Sequence, residues 1–148
     1  MFIFDTREQK NVHIKHWFDE HGLEYREQKL NCGDYMVEGG TCSVDRKQNL
    51  EECAQNLMNR KDHSRFWKEV RRAQEQGIKL IILVEHGENI QSMQDVARWR
   101  SKFSPVSGRA LVDEMFRVQM AYGVEWRFCD KRDTGREIVR ILSGEYIG

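Results

Sequence analysis

The run IKLIILVE, from Ile78 to Glu85, is the most apolar stretch of the chain and constrains the fold more than any other. It is rich in isoleucine and bounded by Gly77 and Gly87. At this length it reads as a buried central strand. The segments around it supply the remaining layers. MFIFDTRE reads as a short apolar strand ending in charge. In NVHIKHWFDEHG, residues Ile14, Trp17 and Phe18 fall at helical spacing, with Gly22 placed to stop the helix. Three short strand-like segments follow, LEYREQKL, DYMVEGG and TCSVDRK, split by Asn31, Gly33, Gly39 and Gly40.

Asn49 and Glu52 form the pattern of a capping box, opening a helix expected to turn Leu50, Cys53, Leu57 and Met58 inward. A second helix, DHSRFWKEVRRAQEQG, carries Phe66, Val70 and Ala73 on one stripe. Beyond the central strand come a polar helix near MQDVARWRSKF and the single proline, Pro105. In SGRALVDEMFRVQMAYG, residues Leu111, Met115, Val118 and Tyr122 mark one helical face. VEWRFCD alternates as a strand, and Thr134 with Glu137 is the pattern of a cap on a last helix carrying Ile138, Ile141 and Leu142. The expectation is an α/β layered domain with a central mixed sheet flanked by helices, its early strands forming an antiparallel meander. No linker or repeat divides it, so residues 1–148 read as one domain.

Lysine plus arginine and aspartate plus glutamate number 24 each. A surface for nucleic acid on a chain of zero net charge must therefore be a local field, with acids gathered elsewhere. Cys32, Cys42, Cys53 and Cys129 lack metal-ligand spacing and read as reduced, mostly buried thiols. His13 and His16 have no matching ligand pair. The absence of a membrane-length apolar run and of a signal-peptide pattern makes a cytoplasmic protein with no membrane partner the expectation.

The stretch TCSVDRKQNLEE ends a strand with Asp45, Arg46 and Lys47. Side chains alternate along a strand, so Asp45 and Lys47 share one face and Val44 and Arg46 the other. Alone, an acid and a lysine two residues apart are an ordinary solvated strand end. Asp34 changes the weighing. It opens a strand 11 positions earlier in the sequence, which suits an antiparallel hairpin turned at Gly39–Gly40. Pairing of that kind sets Asp34 beside Asp45, and two adjacent carboxylates repel unless a cation neutralises them. Asp5, at the end of the first strand, and Glu51, one turn beyond Lys47, are candidates to extend the acidic group.

FDTRE, GDY and VDRKQNLEE, in that order, resemble the D-x-R-E, G-D-Y and E-R-K-x3-D motifs of the XPF-type structure-specific endonucleases. SRFWKEVRR, LIILVE and RVQMAYGVEWRF follow the same family's later segments, so the resemblance runs from Phe2 to about Ser143. It implies a restriction-endonuclease-like fold and a Mg²⁺- or Mn²⁺-dependent hydrolysis of DNA phosphodiesters, leaving 5′-phosphate and 3′-hydroxyl ends. Carried over by position, Asp34 and Asp45 are implied metal ligands and Lys47 the lysine facing the scissile phosphate. Asp5, an implied ligand as well, and Glu51 support the acidic site, and Arg7 and Arg46 position acids or phosphates. Glu8 matches the motif as well. Asp45 stands where the family carries Glu, and Glu51 where it carries Asp.

Lys61, Arg65, Lys68 and Arg72 recur on one face of the arginine-rich helix and are the expected DNA contacts, Arg65 foremost. A solvated charged face accounts for them equally well. Arg98, Arg100 and Lys102 form a weaker basic group, and Trp67 and Trp99 read as packing residues before stacking ones. Phe116 and Met120 add an apolar edge to the closing helix, which a homodimer and a monomer core explain alike. The resemblance points to branched, flap or fork DNA, without the family's tandem helix-hairpin-helix module in residues 1–148, and the size suits a bacterial or phage setting. Two rival readings remain, a nuclease-like domain that binds DNA without cutting and an unrelated α/β interaction protein.

Overall fold

The apolar run forms a buried strand inside the sheet, paired on both sides but only one place from its edge. In the computed structural model, which describes residues 1–145 (for residues 60–62 and 145 the backbone alone), Lys79–Glu85 has buried side chains at every position after Lys79. The elements are β1 (Phe2–Phe4), α1 (Val12–Glu20), β2 (Tyr25–Glu27), β3 (Tyr35–Val37), β4 (Cys42–Lys47), α2 (Leu50–Met58) and α3 (Arg60–Glu75). They continue with β5 (Lys79–Glu85), α4 (Met93–Val96), α5 (Gly108–Tyr122), β6 (Glu125–Cys129) and α6 (Thr134–Arg140). The strands form one mixed sheet in the order β2-β1-β3-β4-β5-β6.

The early strands depart from a simple meander. β3 pairs antiparallel with both β1 and β4, but β2 pairs parallel with β1 at the sheet edge. A parallel partner needs a crossover, and α1 supplies it. β4, β5 and β6 run parallel to one another, with α2 and α3 crossing between the first two and α4 and α5 between the last two.

Two apolar layers follow from the alternation of β4 and β5. Leu80, Ile82 and Val84 face α2, α3 and α5 and pack with Leu50, Leu57, Phe66, Val70, Leu111 and Met115. Ile81 and Leu83 face the other way with Val44, packing with Phe4, Ile14, Phe18, Tyr35 and Ile138 beneath α1 and α6. Burial of that many large apolar side chains, each contributing about 1.5–3 kcal/mol, is what fixes the two helical layers on the sheet.

Local signals hold with two exceptions. Asn49 accepts from the Glu52 backbone N–H at 2.9 Å, and the Glu52 carboxylate accepts from the Gln48 N–H at 3.1 Å. Met58, expected inward, is 41% exposed, because α2 ends there and the chain turns away into α3. Thr134 does not cap α6 with Glu137; its hydroxyl donates to the buried Glu85 carboxylate. All four cysteines are free, and three of them are buried. No helix among the described residues is long and apolar enough to cross a membrane.

Gly33 is the tightest point near the future site. Its φ is +75°, and a Cβ there would lie 1.7 Å from Ser43 Oγ on β4. Ser43 Oγ in turn donates to the Cys32 carbonyl at 2.9 Å, locking the entry loop to the strand. Gly33→Ala is therefore expected to destabilise the domain by more than about 1 kcal/mol, read as a fall in the urea midpoint. An unchanged midpoint would show that this approach is not tight in solution.

Candidate active site

The hairpin between β3 and β4 decides which acids meet. Tyr35 pairs with Val44, so Asp34 lies across from Asp45 at the open end of the ladder. Asp34 is fixed there twice: its N–H donates to the Val44 carbonyl at 2.7 Å, and its Oδ2 accepts from the Arg46 N–H at 2.8 Å. Asp45 is 4% exposed, and its Oδ2 lies 3.2 Å from Lys47 Nζ. Asp45 and Lys47 face the layer covered by α2 and α3, as the alternation of the strand requires. Lys47 Nζ also stands 6.0 Å from the centroid of the Phe66 ring.

A third carboxylate, Glu69 on α3, joins this group. Glu69 Oε1 and Asp45 Oδ2 are both buried without a hydrogen-bond partner within the protein. Burial, and then the neighbouring Asp45, push the Glu69 carboxyl up to about 8, partly offset by Lys47 and Arg72. Burial likewise raises Asp34 well above the usual carboxylate range, reinforced by Asp45 and Glu8. For Asp45, burial acts in the same direction but Lys47 and the neighbouring carboxyls outweigh it, and the group falls below its ordinary value. Burial opposes the charge on Lys47, yet Asp45 and Glu69 hold its ammonium above the ordinary lysine value. A small cavity of about 100 Å³, lined by Lys47, Asn56, Arg65, Phe66 and Glu69, opens beside these groups.

Other expected site residues have different places. Asp5 is occupied: its carboxylate accepts from the Leu30 N–H at 2.8 Å and from Arg7 Nε at 3.0 Å, with Arg7 Nη2 at 3.2 Å. Arg7 also donates to the Leu30 carbonyl, so the pair ties the β1 end to the loop before β3. Both Asp5 oxygens, implied above as metal ligands, thus already accept hydrogen bonds within the protein. Glu51 is not brought to the site; it accepts from Ser101 Oγ at 2.7 Å and the Lys102 N–H at 2.9 Å, anchoring the loop ahead of α5.

Arg46, expected to position acids or phosphates, holds two acids. It projects through the sheet to the face opposite Asp45 and is 4% exposed, so no phosphate can reach it. There Nε donates to Glu8 at 2.6 Å, Nη1 to Glu85 at 2.5 Å and Nη2 to the Gln9 carbonyl at 2.7 Å. Tyr35 OH donates to the same Glu8 oxygen at 2.6 Å, and His13 and Thr134 converge on the second Glu85 oxygen. Glu8 therefore belongs to a buried clamp behind the site.

On the α3 surface, Arg65, Lys68, Arg71 and Arg72 are all exposed, and the last three line a shallow groove with Glu75. Arg72 Nε donates to the Asn31 carbonyl at 2.9 Å, joining the helix to the loop that leads into Asp34. The expected contact Lys61 lies outside the described side chains. Glu69 and Arg71 are the residues that sequence reasoning missed. Glu69 carried a signal, an acid set on the same stripe as Phe66, Val70 and Ala73.

The donor set suits a hard cation. Mg²⁺ takes one or two carboxylates and completes its shell with water and phosphate oxygens, and Asp45 offers a buried oxygen that makes no hydrogen bond and has only the Lys47 ammonium beside it. Among the described residues, no three His, Cys, Asp or Glu side chains already stand in a cation-binding arrangement.

Comparison with solved structures places the fold. XPF from Aeropyrum pernix matches with a TM-score of 0.70 at 22% identity, over 97% of this chain and 65% of that one. The same archaeal protein solved in complex with DNA matches with a TM-score of 0.70 at 22% identity, over 96% of this chain and 62% of that one. The chain thus spans less than two thirds of the proteins it resembles, and it has their restriction-endonuclease-like fold. Comparison with curated protein sequences gives no match. The family model described as the ERCC4 domain matches residues 4–141, nearly the whole sequence, and the chain belongs to that family of DNA nuclease domains.

Proposed function

We propose that this domain is a Mg²⁺- or Mn²⁺-dependent endodeoxyribonuclease that hydrolyses phosphodiesters in branched, flap or fork DNA. The observation that carries the reading is the meeting of Asp34 and Asp45 across one hairpin, with Lys47 on the same strand face. Asp34 and Asp45 would hold the cation. When bound there it supplies Lewis-acid polarisation of a phosphate oxygen and a water of lowered pKa. Lys47 contributes a fixed positive charge, kept on by Asp45 and Glu69, where charge develops on the phosphate in the transition state. Because that charge is already held in place, little reorganisation is needed as the reaction proceeds.

Arg65 borders the same cavity as Lys47, and Lys68, Arg71 and Arg72 continue away from it along α3. That array supports phosphate contacts leading into the site, which orient the strand without reading its sequence. Phe116 and Met120 on α5 are 50% and 82% exposed, outside the core that buries Leu111, Met115 and Val118. Their exposure suits pairing with a second copy of the chain.

The decisive experiment is an end-labelled panel of single-strand, duplex, flap, fork and four-way-junction DNA, with Mg²⁺, Mn²⁺ or EDTA. Metal-dependent cleavage with a preference for junction-containing substrates is expected. Binding without cleavage in either metal would leave a DNA-binding domain that does not cut, and neither binding nor cleavage would reduce the domain to an interaction module.

A further inference from the structure

Two buried carboxyl oxygens in the same small group make no hydrogen bond, Glu69 Oε1 and Asp45 Oδ2, the latter with the Lys47 ammonium 3.2 Å away as its ion-pair neighbour. A buried carboxyl oxygen without a hydrogen bond is costly, and crowding by burial and by Asp45 makes Glu69 and Asp34 hold their protons more tightly than usual. The protein's own answer is Lys47, one ammonium set against three carboxylates, Asp34, Asp45 and Glu69. Asp45 is more than nine-tenths buried and so cannot turn its free oxygen to bulk water.

Glu69 also occupies a position that ordinary packing does not explain. It sits on the inner side of α3 between Phe66, Val70 and Ala73, which are all buried in the layer under that helix. An acid placed on that stripe, rather than among Arg65, Lys68, Arg71 and Arg72 on the outer face, needs a cationic target. Oxygen donors with room for water at one side match the needs of a small divalent cation, and the cavity beside Glu69 provides that room.

We propose that Glu69 is itself a ligand of the divalent cation, its unbonded oxygen and the Asp45 oxygen beside Lys47 being presented to one ion. This rests on the metal-dependent reading above and adds a ligand from α3 to those of the hairpin. The site would then be assembled from two segments, and α3 would link the metal to the arginines on its outer face.

Mn²⁺ binding to the DNA-free protein, followed by the loss of the free-ion electron paramagnetic resonance signal, tests this without recourse to cleavage. Glu69→Gln keeps the size of the side chain and is expected to weaken Mn²⁺ binding by more than about a hundredfold, beyond the roughly 10–100-fold that loss of an outer partner costs. The rise in thermal midpoint that Mn²⁺ gives the wild type should shrink with it. Glu75→Gln, at the exposed end of α3, should bind Mn²⁺ like the wild type. Glu69→Asp should fall between wild type and Glu69→Gln, and carries the test should circular dichroism show Glu69→Gln unfolded. Wild-type affinity in Glu69→Gln alongside lost affinity in Asp45→Asn would overturn the role of Glu69 and leave the metal-dependent nuclease standing. A wild type that takes up no Mn²⁺ would overturn both.

Discussion

Asp45→Asn protein is expected to lose metal-dependent DNA cleavage by about a thousandfold or more, while folding as well as the wild type. The chemical loss follows from removing the carboxylate that is proposed to hold the cation and that lies 3.2 Å from Lys47 Nζ. The structural tolerance follows from the neighbours. Lys47 lies against Asp34 and Glu69 as well as Asp45, so both stay as its partners when Asp45 is neutralised. Asparagine keeps the volume of the side chain and its oxygen as an acceptor, so the thermal midpoint in EDTA should stay close to that of the wild type. Single-turnover cleavage at saturating Mg²⁺, with circular dichroism on the same preparation, gives both quantities. Cleavage retained in the purified variant would remove Asp45 from the catalytic group.

The opposite profile is expected for Arg46→Met, a residue away on the same strand. Arg46 neutralises Glu8 and Glu85 at once inside the layer beneath α1 and α6. Its loss leaves two buried carboxylates with only Tyr35 on one side and His13 and Thr134 on the other. Breaking a buried ion pair by removing one partner costs about 3–5 kcal/mol, and here two pairs share the partner. Urea unfolding should therefore show a loss of at least about 3 kcal/mol, a large share of the stability of a domain this size. Arg46→Lys keeps the charge but not the three-way fork, so it should recover only part of the loss. A change under about 1 kcal/mol in Arg46→Met would mean that the clamp is solvated and contributes no support to the site.

The contrast between these neighbours shows what the sequence carried and what it did not. Hairpin register was legible, since Gly39–Gly40 and the separation of Asp34 from Asp45 are enough to set the two acids across from each other. The alternation of β4 also put Arg46 on the face away from Asp45 and Lys47. Its use there was not legible, because Glu8 and Glu85 lie 38 and 39 positions away in the chain and only folding brings them together. Glu69 is the intermediate case. Its place on the apolar stripe of α3 is visible in the sequence, but its meeting with Asp45 depends on how that helix docks on β4. Asp5 and Glu51 show the converse, acids near the motif whose oxygens are consumed by loop backbone and a serine. β2, three residues long and parallel to β1, carried too little pattern to reveal its partner.

The alternation along β4 has one more consequence, for how the chain finds its fold. A slip of β4 by a single residue against β3 and β5 would exchange its two faces. Asp45 and Lys47 would then enter the aromatic layer around Phe4, Phe18 and Tyr35, and Arg46 would be thrust among the acids of the other side. Both outcomes strand charge in apolar surroundings or remove the partners of Glu8 and Glu85. The Arg46 clamp thus acts as a check on register during folding. Only a correctly threaded strand closes the clamp, and the same closure sets the acids and the lysine facing one another.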